Sequence, residues 1–368
     1  MRASSVRKGL SLWHGLLEPR WRGFRFRMAQ EQKGHAARFE KGRNMAIRTT
    51  VVGSYPKPPD EGKPFTLRKT LHAIEKGEAD EADLRRAQDE LVREVIAEQE
   101  AAGIDLVTDG LVRWDDIVTP FARTFEGFAI GGLLRWFDNN VYYRRPICVG
   151  PVEWRRPASV DAFRFAQSVA RGPVKAVIPG PVTFARLSVD EHYGDHSRFT
   201  AAVAEALGRE AAALQEAGAR FIQIDEPSLL DAPEDIQLAR HSLGAVTNGL
   251  TGVETTLATY FGDAKRVGAD IFSLPVSRLG FDLVSGAENV ELVRSAPPDV
   301  LLQAGIVDAR NTKLEDPGDL ARSIEQLAGI VGPERLSVSP SAGLEFLPRE
   351  KARLKLRRLV EAVEKLEV

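Results

Sequence analysis

From residue 49 onward two patterns alternate along the chain. Short runs of β-branched and aliphatic residues are separated by longer stretches whose apolar positions recur every three to four residues. The runs are "TTVVGS" (49–54), "DLVTDG" (105–110), "VKAVIPG" (174–180) and "RFIQIDE" (220–226). They continue with "ETTLATYF" (254–261), "DIFSLPV" (270–276), "VLLQAGIVD" (300–308) and "RLSVSPS" (335–341). Their nearly unbroken apolar character predicts strands covered on both faces, as in a parallel sheet. The stretches between them read as helices. One opens at Asp80 as N-cap, sets Leu84, Leu91 and Val95 on one side and closes at Gly103. Another runs from about Ser197 to Gly218, and "DPGDLARSIEQLAGIVG" and the Lys/Arg-rich C-terminal segment supply two more.

Eight β/α units in this length predict an α/β protein, a single (β/α)₈ TIM barrel over 46–368. A doubly wound open sheet would need a Gly-rich phosphate turn after an early strand, and none is present. The longest insertion between strands, 111–160, contains "LLRWFDNNVYYRRPICVG". It reads as an excursion of helix and hairpin over the barrel mouth.

Composition adds boundaries. At 43% hydrophobic and 28% charged the chain is of ordinary globular make-up, and no apolar run approaches bilayer length. The single cysteine, Cys148, excludes an intramolecular disulfide and a thiolate-rich metal cluster. A reducing cytoplasm is therefore the default compartment. Residues 1–45 carry eleven Lys/Arg against three Glu, a charge of +8 that leaves −10 for the rest of a chain of net charge −2. This Arg-rich, acid-poor make-up is also that of transit peptides. Since "MAIRTTVVGSYP" reads as a start at Met45, the expectation is a basic disordered tail or an over-extended start. The acidic body argues against a nucleic-acid partner, and nothing suggests a membrane.

In a barrel the chemistry sits where strands end. The ends here are Gly53-Ser54, Asp109-Gly110, Gly180-Pro181, Asp225-Glu226, Tyr260 to Asp263, Pro275, Asp308 to Asn311 and Ser339 to Ser341. Two adjacent carboxylates at a strand terminus point different ways. One of Asp225 and Glu226 can face the mouth and take a substrate ammonium while the other serves as a helix cap or an ion-pair partner. Asp225, Glu226 and Arg310 are the candidate catalytic groups. His192 and His196 have the i,i+4 spacing of a metal-binding pair, but Gly194 and surrounding charges favour a solvated turn.

The motifs "TTVVGSYP", "GPVTFARLS", "IQIDEPSLL", "TYFGD", "LPV", "AGIVDARN" and "LSVSPSAGLEFLP" occur in that order over 49–348. Together they resemble cobalamin-independent methionine synthase, whose full-length form has two homologous barrels. The resemblance implies methyl transfer from a 5-methyltetrahydrofolate-type donor to homocysteine, with zinc activating the thiol in the catalytic half. Matched by position, the zinc ligands fall here at Ala258, Tyr260, Pro275 and Ala342, and the catalytic histidine at Arg310. An acidic residue of that half falls at Leu111. "TYFGD", "WFDNNVYY" and "VDARN" are similar instead to the zinc-free N-terminal half, so no cofactor is expected from this chain. Residue by residue, the resemblance implies that Asp225 holds the homocysteine amino group and the Gly53-Ser54 backbone its carboxylate. Arg68 and Arg135 match basic positions that contact the folate polyglutamate tail, while a third such position is Phe65. Tyr260 and Asn311 complete the expected substrate-binding set.

The first functional expectation is therefore a methionine-synthase-like methyltransferase. The second is a zinc-free folate-binding barrel that works with a separate zinc-bearing catalytic barrel. A third is another reaction on the same barrel, such as tetrapyrrole decarboxylation or carbon–sulfur chemistry on a thiol.

Overall fold

The computed structural model describes residues 47–137 and 142–366, and Met45–Val368 form one compact unit. The expected basic tail over 1–45 lies outside the described residues. The elements begin with β1 (Arg48–Thr49), α1 (Thr66–Glu75), α2 (Glu81–Ala101) and α3 (Thr119–Ala122). A hairpin follows, β2 (Phe125–Arg135) and β3 (Tyr142–Trp154), then α4 (Val160–Val169), β4 (Ala176–Pro179), α5 (Pro181–Leu187) and β5 (Val189–Asp190). Next come α6 (His196–Glu216), β6 (Phe221–Asp225), α7 (Ile236–Thr247), β7 (Glu254–Thr259) and β8 (Arg278–Asp282). The chain finishes with α8 (Asn289–Arg294), β9 (Leu301–Val307), α9 (Pro317–Val331), β10 (Leu336–Pro340) and α10 (Arg349–Glu364).

Seven strands make a curled parallel sheet in the order β1-β10-β9-β8-β7-β6-β4. Thr50 bridges Leu106 and Val107 bridges Val174, both in parallel, so the segment 106–107 stands between β1 and the residues leading into β4. The expected second strand over 105–110 is thus only two single bridges. The reason lies in α2. Gln99 donates to the Thr108 carbonyl at 2.9 Å and accepts from its N–H at 3.0 Å, taking both groups a ladder would use. The expected strand over 270–276 is also displaced. Residues 268–273 form a 3₁₀ turn, and the ladder starts at Arg278, beyond Pro275, which has no N–H to offer.

The helices follow their sequence signals closely. Asp80 accepts from Asp83 N at 2.9 Å while Asp83 accepts from Asp80 N at 3.1 Å, a reciprocal cap for α2. Gly103 ends that helix at φ 89°, with Val360 so close that a Cβ would meet it at 2.9 Å. Asp195 caps α6 and Asp316 caps α9. Strand alternation then sorts the faces. In β6, Ile222 and Ile224 are fully buried toward the helices, where Leu207 and Leu214 are also buried. Each such side chain contributes roughly 1.5–3 kcal/mol of burial. Phe221, Gln223 and Asp225 point to the opposite face, which carries the polar groups.

The hairpin β2–β3 pairs with β5 in a second, three-stranded sheet. Its last residues are tied to α6 through buried Glu210, which accepts from Trp154 Nε1 at 2.8 Å and from Ser159 N at 2.8 Å. At its other end, Phe137 packs on Phe261 with ring centroids 5.7 Å apart. No helix among the described residues is long and apolar enough to cross a membrane.

Candidate active site

The site is built on the polar face of the sheet, from the bottom of β7 and β8 up to the carboxyl end of β6. At the base, Glu254 pairs with Arg278 at 2.9 Å and with Arg48 at 3.1 Å. Burial pushes the Glu254 carboxyl up, but the two arginines overcome it and hold it at about 2. One level higher, the Lys175 ammonium, 2% exposed, donates to Gln223 Oε1 at 2.6 Å and to the Val51 carbonyl at 2.5 Å. Gln223 in turn donates to the Val52 carbonyl and, at 2.6 Å, to Asp225 Oδ1. Tyr260 donates its phenol to Asp225 Oδ2 at 3.1 Å.

Asp225 is therefore a buried carboxylate at a strand end, with one donor fixed on each oxygen. Desolvation pushes its pKa up to about 7 against the pull of Gln223, Tyr260 and Lys175. Gly53 lies beside it in the fold, since Gln223 reaches both the Val52 carbonyl and Asp225. A Cβ on Gly53 would come within 3.2 Å of Leu111 and 3.6 Å of Val177. Ser54 is held by its carbonyl, which accepts from Leu344 N at 2.8 Å.

Glu226 does a different job. Fully buried, it accepts from the N–H groups of Val182 at 3.1 Å and Thr183 at 2.5 Å, the first turn of α5. Its oxygens fill the space above Gly180, where a Cβ would stand 2.2 Å from Oε2. Of the two adjacent carboxylates, Glu226 is thus a helix-capping group, and only Asp225 faces the polar column.

Arg310 is exposed and its guanidinium lies over the Phe261 ring at 5.4 Å. Phe261 touches Tyr260 at 4.7 Å, Phe346 at 5.8 Å and Phe137 of the hairpin, so an aromatic cluster joins Arg310 to Tyr260 and Asp225. Phe261 has φ 69°, a left-handed conformation that is costly for a bulky residue. It is held there in part by Asp282, which accepts from Phe261 N at 3.2 Å. Asn311 is exposed and accepts from Lys313 N at 2.9 Å within its own turn. Arg68 stands exposed on α1 and Arg135 exposed at the end of β2.

Sequence reasoning missed four groups here. Lys175, just before β4, and Gln223, inside β6, lie in apolar runs, where a polar residue carries no motif. Lys57 donates to the Trp114 carbonyl, and burial lowers its pKa although Asp115, Glu345 and Asp109 pull the other way. Glu345, inside "GLEFLP", has a buried Oε2 without a hydrogen-bond partner. Its pKa rises to about 7 through burial, aided by Asp225 and opposed by Lys57. The signal in each case was a polar or charged residue in an otherwise apolar or motif-bearing run.

The residues at the expected zinc positions do not fit the metal. Ala258 and Ala342 are buried methyl groups, and Tyr260 is engaged with Asp225. Pro275 proves to precede β8 rather than end it, so the strand end belongs to Asp282. That carboxylate is already spent on Phe261 N, Val284 N and Ser285 N. Among the described residues no three His, Cys, Asp or Glu side chains gather as a metal-holding group. His196 instead faces Asp235 at 3.3 Å, and His192 packs on Tyr193 in the turn that Asp190 organises.

The curled parallel sheet, with its polar groups at the strand ends, defines the class of protein. Solved structures share it: a B12-independent methionine synthase from a Shewanella species superposes with TM-score 0.73, at 22% identity, over 87% of this chain and 98% of that one. A vitamin-B12 independent methionine synthase from Listeria monocytogenes, so described as putative, gives TM-score 0.69 at 18% identity over 87% and 98%. A family model described as "Cobalamin-independent synthase, Catalytic domain" matches residues 47–249. The methionine synthase of Saccharolobus solfataricus is 34% identical over 317 residues, covering 85% of this chain and 92% of that protein. That of Sulfurisphaera tokodaii is 32% identical over 85% and 90%. The chain belongs to the cobalamin-independent methionine synthase family. The matching model is that of the catalytic domain, whereas the sequence motifs pointed to the zinc-free N-terminal half.

Proposed function

We propose that the protein binds homocysteine at Asp225 and takes part in its methylation, as a methionine-synthase-like transferase. The relatives named methionine synthase support the reaction, and Asp225 carries the reading in this chain. It is a buried carboxylate at a strand end, oriented on both oxygens by fixed donors, as recognition of an amino group requires. The substrate ammonium meets Asp225, and the Gly53-Ser54 backbone beside it takes the carboxylate. Arg310, held over Phe261, adds positive charge at the same aromatic cluster. Arg68 and Arg135 are the positions for a polyglutamate tail. The bridges at 50–106 and 107–174 support reading the segment 106–107 as the eighth stave of a closed barrel.

How the thiol is activated separates two forms of this proposal. The side chains at 258, 260 and 342 supply no zinc ligand, which favours a barrel that binds substrate and works with a separate zinc-bearing catalytic barrel. Titration calorimetry with L-homocysteine tests the shared part: binding at pH 7 that Asp225→Asn weakens at least tenfold is expected. Equal binding by both proteins overturns it. A methyl-transfer assay with methyltetrahydrofolate, with and without a zinc-bearing family member, then distinguishes the two forms.

A further inference from the structure

A charged lysine is costly to bury, and Lys175 is buried with no carboxylate in direct contact among the described residues. Among these residues its ammonium donates to the Val51 carbonyl and the Gln223 amide oxygen. An ammonium can only donate, so it fixes which end of the Gln223 amide faces it. The amide nitrogen is thereby turned toward Asp225 Oδ1 and the Val52 carbonyl. Asp225 Oδ1 must accept from that nitrogen, while Oδ2 accepts from the Tyr260 phenol. A donor available to each oxygen suits the ionised carboxylate.

We infer that Lys175, acting through the Gln223 amide, is a positioning residue that keeps Asp225 ionised and presents it to a substrate ammonium. This rests on the reading of Asp225 as the amino-group site. The intervening amide is what makes the arrangement useful. Direct contact would spend the carboxylate on the lysine, whereas one amide away the lysine supplies field and orientation yet leaves Asp225 able to take a second cation.

The surrounding charges are consistent with this assignment. Asp225 faces Lys175 from the strand-leading segment before β4 and Tyr260 beyond β7, and it interacts with Glu226 and with Glu345 from the loop after β10. Lys175 also feels Arg278 of β8, Glu254 of β7 and Arg48 of β1. Burial and Arg278 disfavour its charge while Asp225 favours it, and its pKa falls to about 7. The two groups therefore titrate in one range, as a coupled pair.

The test reads Asp225 directly, by carbon NMR of aspartate-labelled protein, with Asp225→Asn to assign the signal. Lys175→Met is expected to raise the Asp225 midpoint by at least one pH unit, a tenfold change in its proton affinity. L-homocysteine binding at pH 7 should weaken in parallel and recover as the pH is raised toward the new midpoint. Lys175→Arg should retain most of the affinity. An unchanged midpoint in Lys175→Met, or a loss of binding that is the same at every pH, overturns the inference. If Lys175→Met does not fold, the wild-type protein still decides, by nitrogen NMR of labelled lysines. One lysine should titrate together with Asp225, and its fully independent titration overturns the pairing. A shifted Asp225 midpoint with no amino-acid binding at any pH would leave the relay standing and sink the proposed function instead.

Discussion

The Tyr260 phenol donates to Asp225 Oδ2 at 3.1 Å from a position where the family resemblance places a metal ligand. The side chain at that position thus orients the carboxylate proposed to take the substrate amino group. Removing the phenol deletes a hydrogen bond to the charged form, worth about 1.5 kcal/mol or more. Tyr260→Phe should therefore weaken L-homocysteine binding at pH 7 by roughly tenfold. It should also raise the Asp225 midpoint, since the lost bond favoured ionisation. Calorimetry at pH 7 checks the first effect; an affinity within twofold of the wild type would count against it.

Glu226 makes a separate prediction, about stability. Burial raises its pKa to about 7, against the donors at Thr183 and Val182. A carboxyl whose folded pKa lies above its unfolded value of 4.5 contributes stability that is full below 4.5 and lost as the pH rises through about 7. Glu226→Gln cannot titrate, so its urea unfolding free energy should fall less between pH 5 and pH 8 than that of the wild type. Asp225 and Glu345 titrate in the same direction and remain, so the slope is reduced rather than abolished. Parallel pH profiles would show that Glu226 is not the buried acid it is here.

The helices were legible because their ends are written locally. Asp80 and Gly103 bracket α2, and Asp195 and Gly218 bracket α6, through caps that need nothing from the rest of the chain. Six of the eight expected strands lie where the apolar runs are, within a few residues. The other two fail for non-local reasons. "DLVTDG" has strand composition, but a glutamine from α2 occupies the backbone of Thr108. "DIFSLPV" is apolar throughout, and the ladder chooses "RLGFD" beyond the proline. Asp225 was legible from its motif, and the adjacent pair was expected to divide its tasks. The relay behind it was not, because Lys175 and Gln223 meet only once β4 and β6 are paired side by side. Glu345 is hidden for the same reason: its link to Asp225 crosses more than a hundred residues of sequence.

At the base of the polar column, Glu254 depends on Arg278 and Arg48 to stay charged. Its folded pKa of about 2 lies below its unfolded value of 4.5, so its stabilisation is full above 4.5 and lost as the pH falls through about 2. Arg278→Met leaves the carboxylate buried without its closest partner and should cost about 3–5 kcal/mol. Arg278 also donates to the Leu302 carbonyl at 2.7 Å, so the double variant with Glu254→Leu should recover part of that loss, not all. Urea unfolding of both variants at pH 7 measures it. A single variant as stable as the wild type would mean that the pair contributes nothing.

The last prediction concerns zinc. A thiol-activating site needs three or four N, S or O ligands at about 2.0–2.3 Å, with histidine or cysteine prominent among them. Here the candidate positions hold two alanines, a tyrosine bonded to Asp225 and a proline on the wrong side of its strand. Asp282, which does end that strand, accepts three backbone N–H bonds and shapes the turn that holds Phe261. To ligate a metal it would have to surrender those bonds and release a left-handed phenylalanine. Cys148 lies in the hairpin with its thiol donating to the Gly150 carbonyl at 3.3 Å, and burial pushes its pKa up to about 11, away from a thiolate. The purified protein should therefore contain no stoichiometric zinc, and its melting temperature should not change on treatment with a chelator. Elemental analysis and a thermal scan, before and after chelation, make the measurement. One tightly held zinc per chain, whose removal lowers the melting temperature, would overturn the assignment of Tyr260 and Asp282 to structural duties.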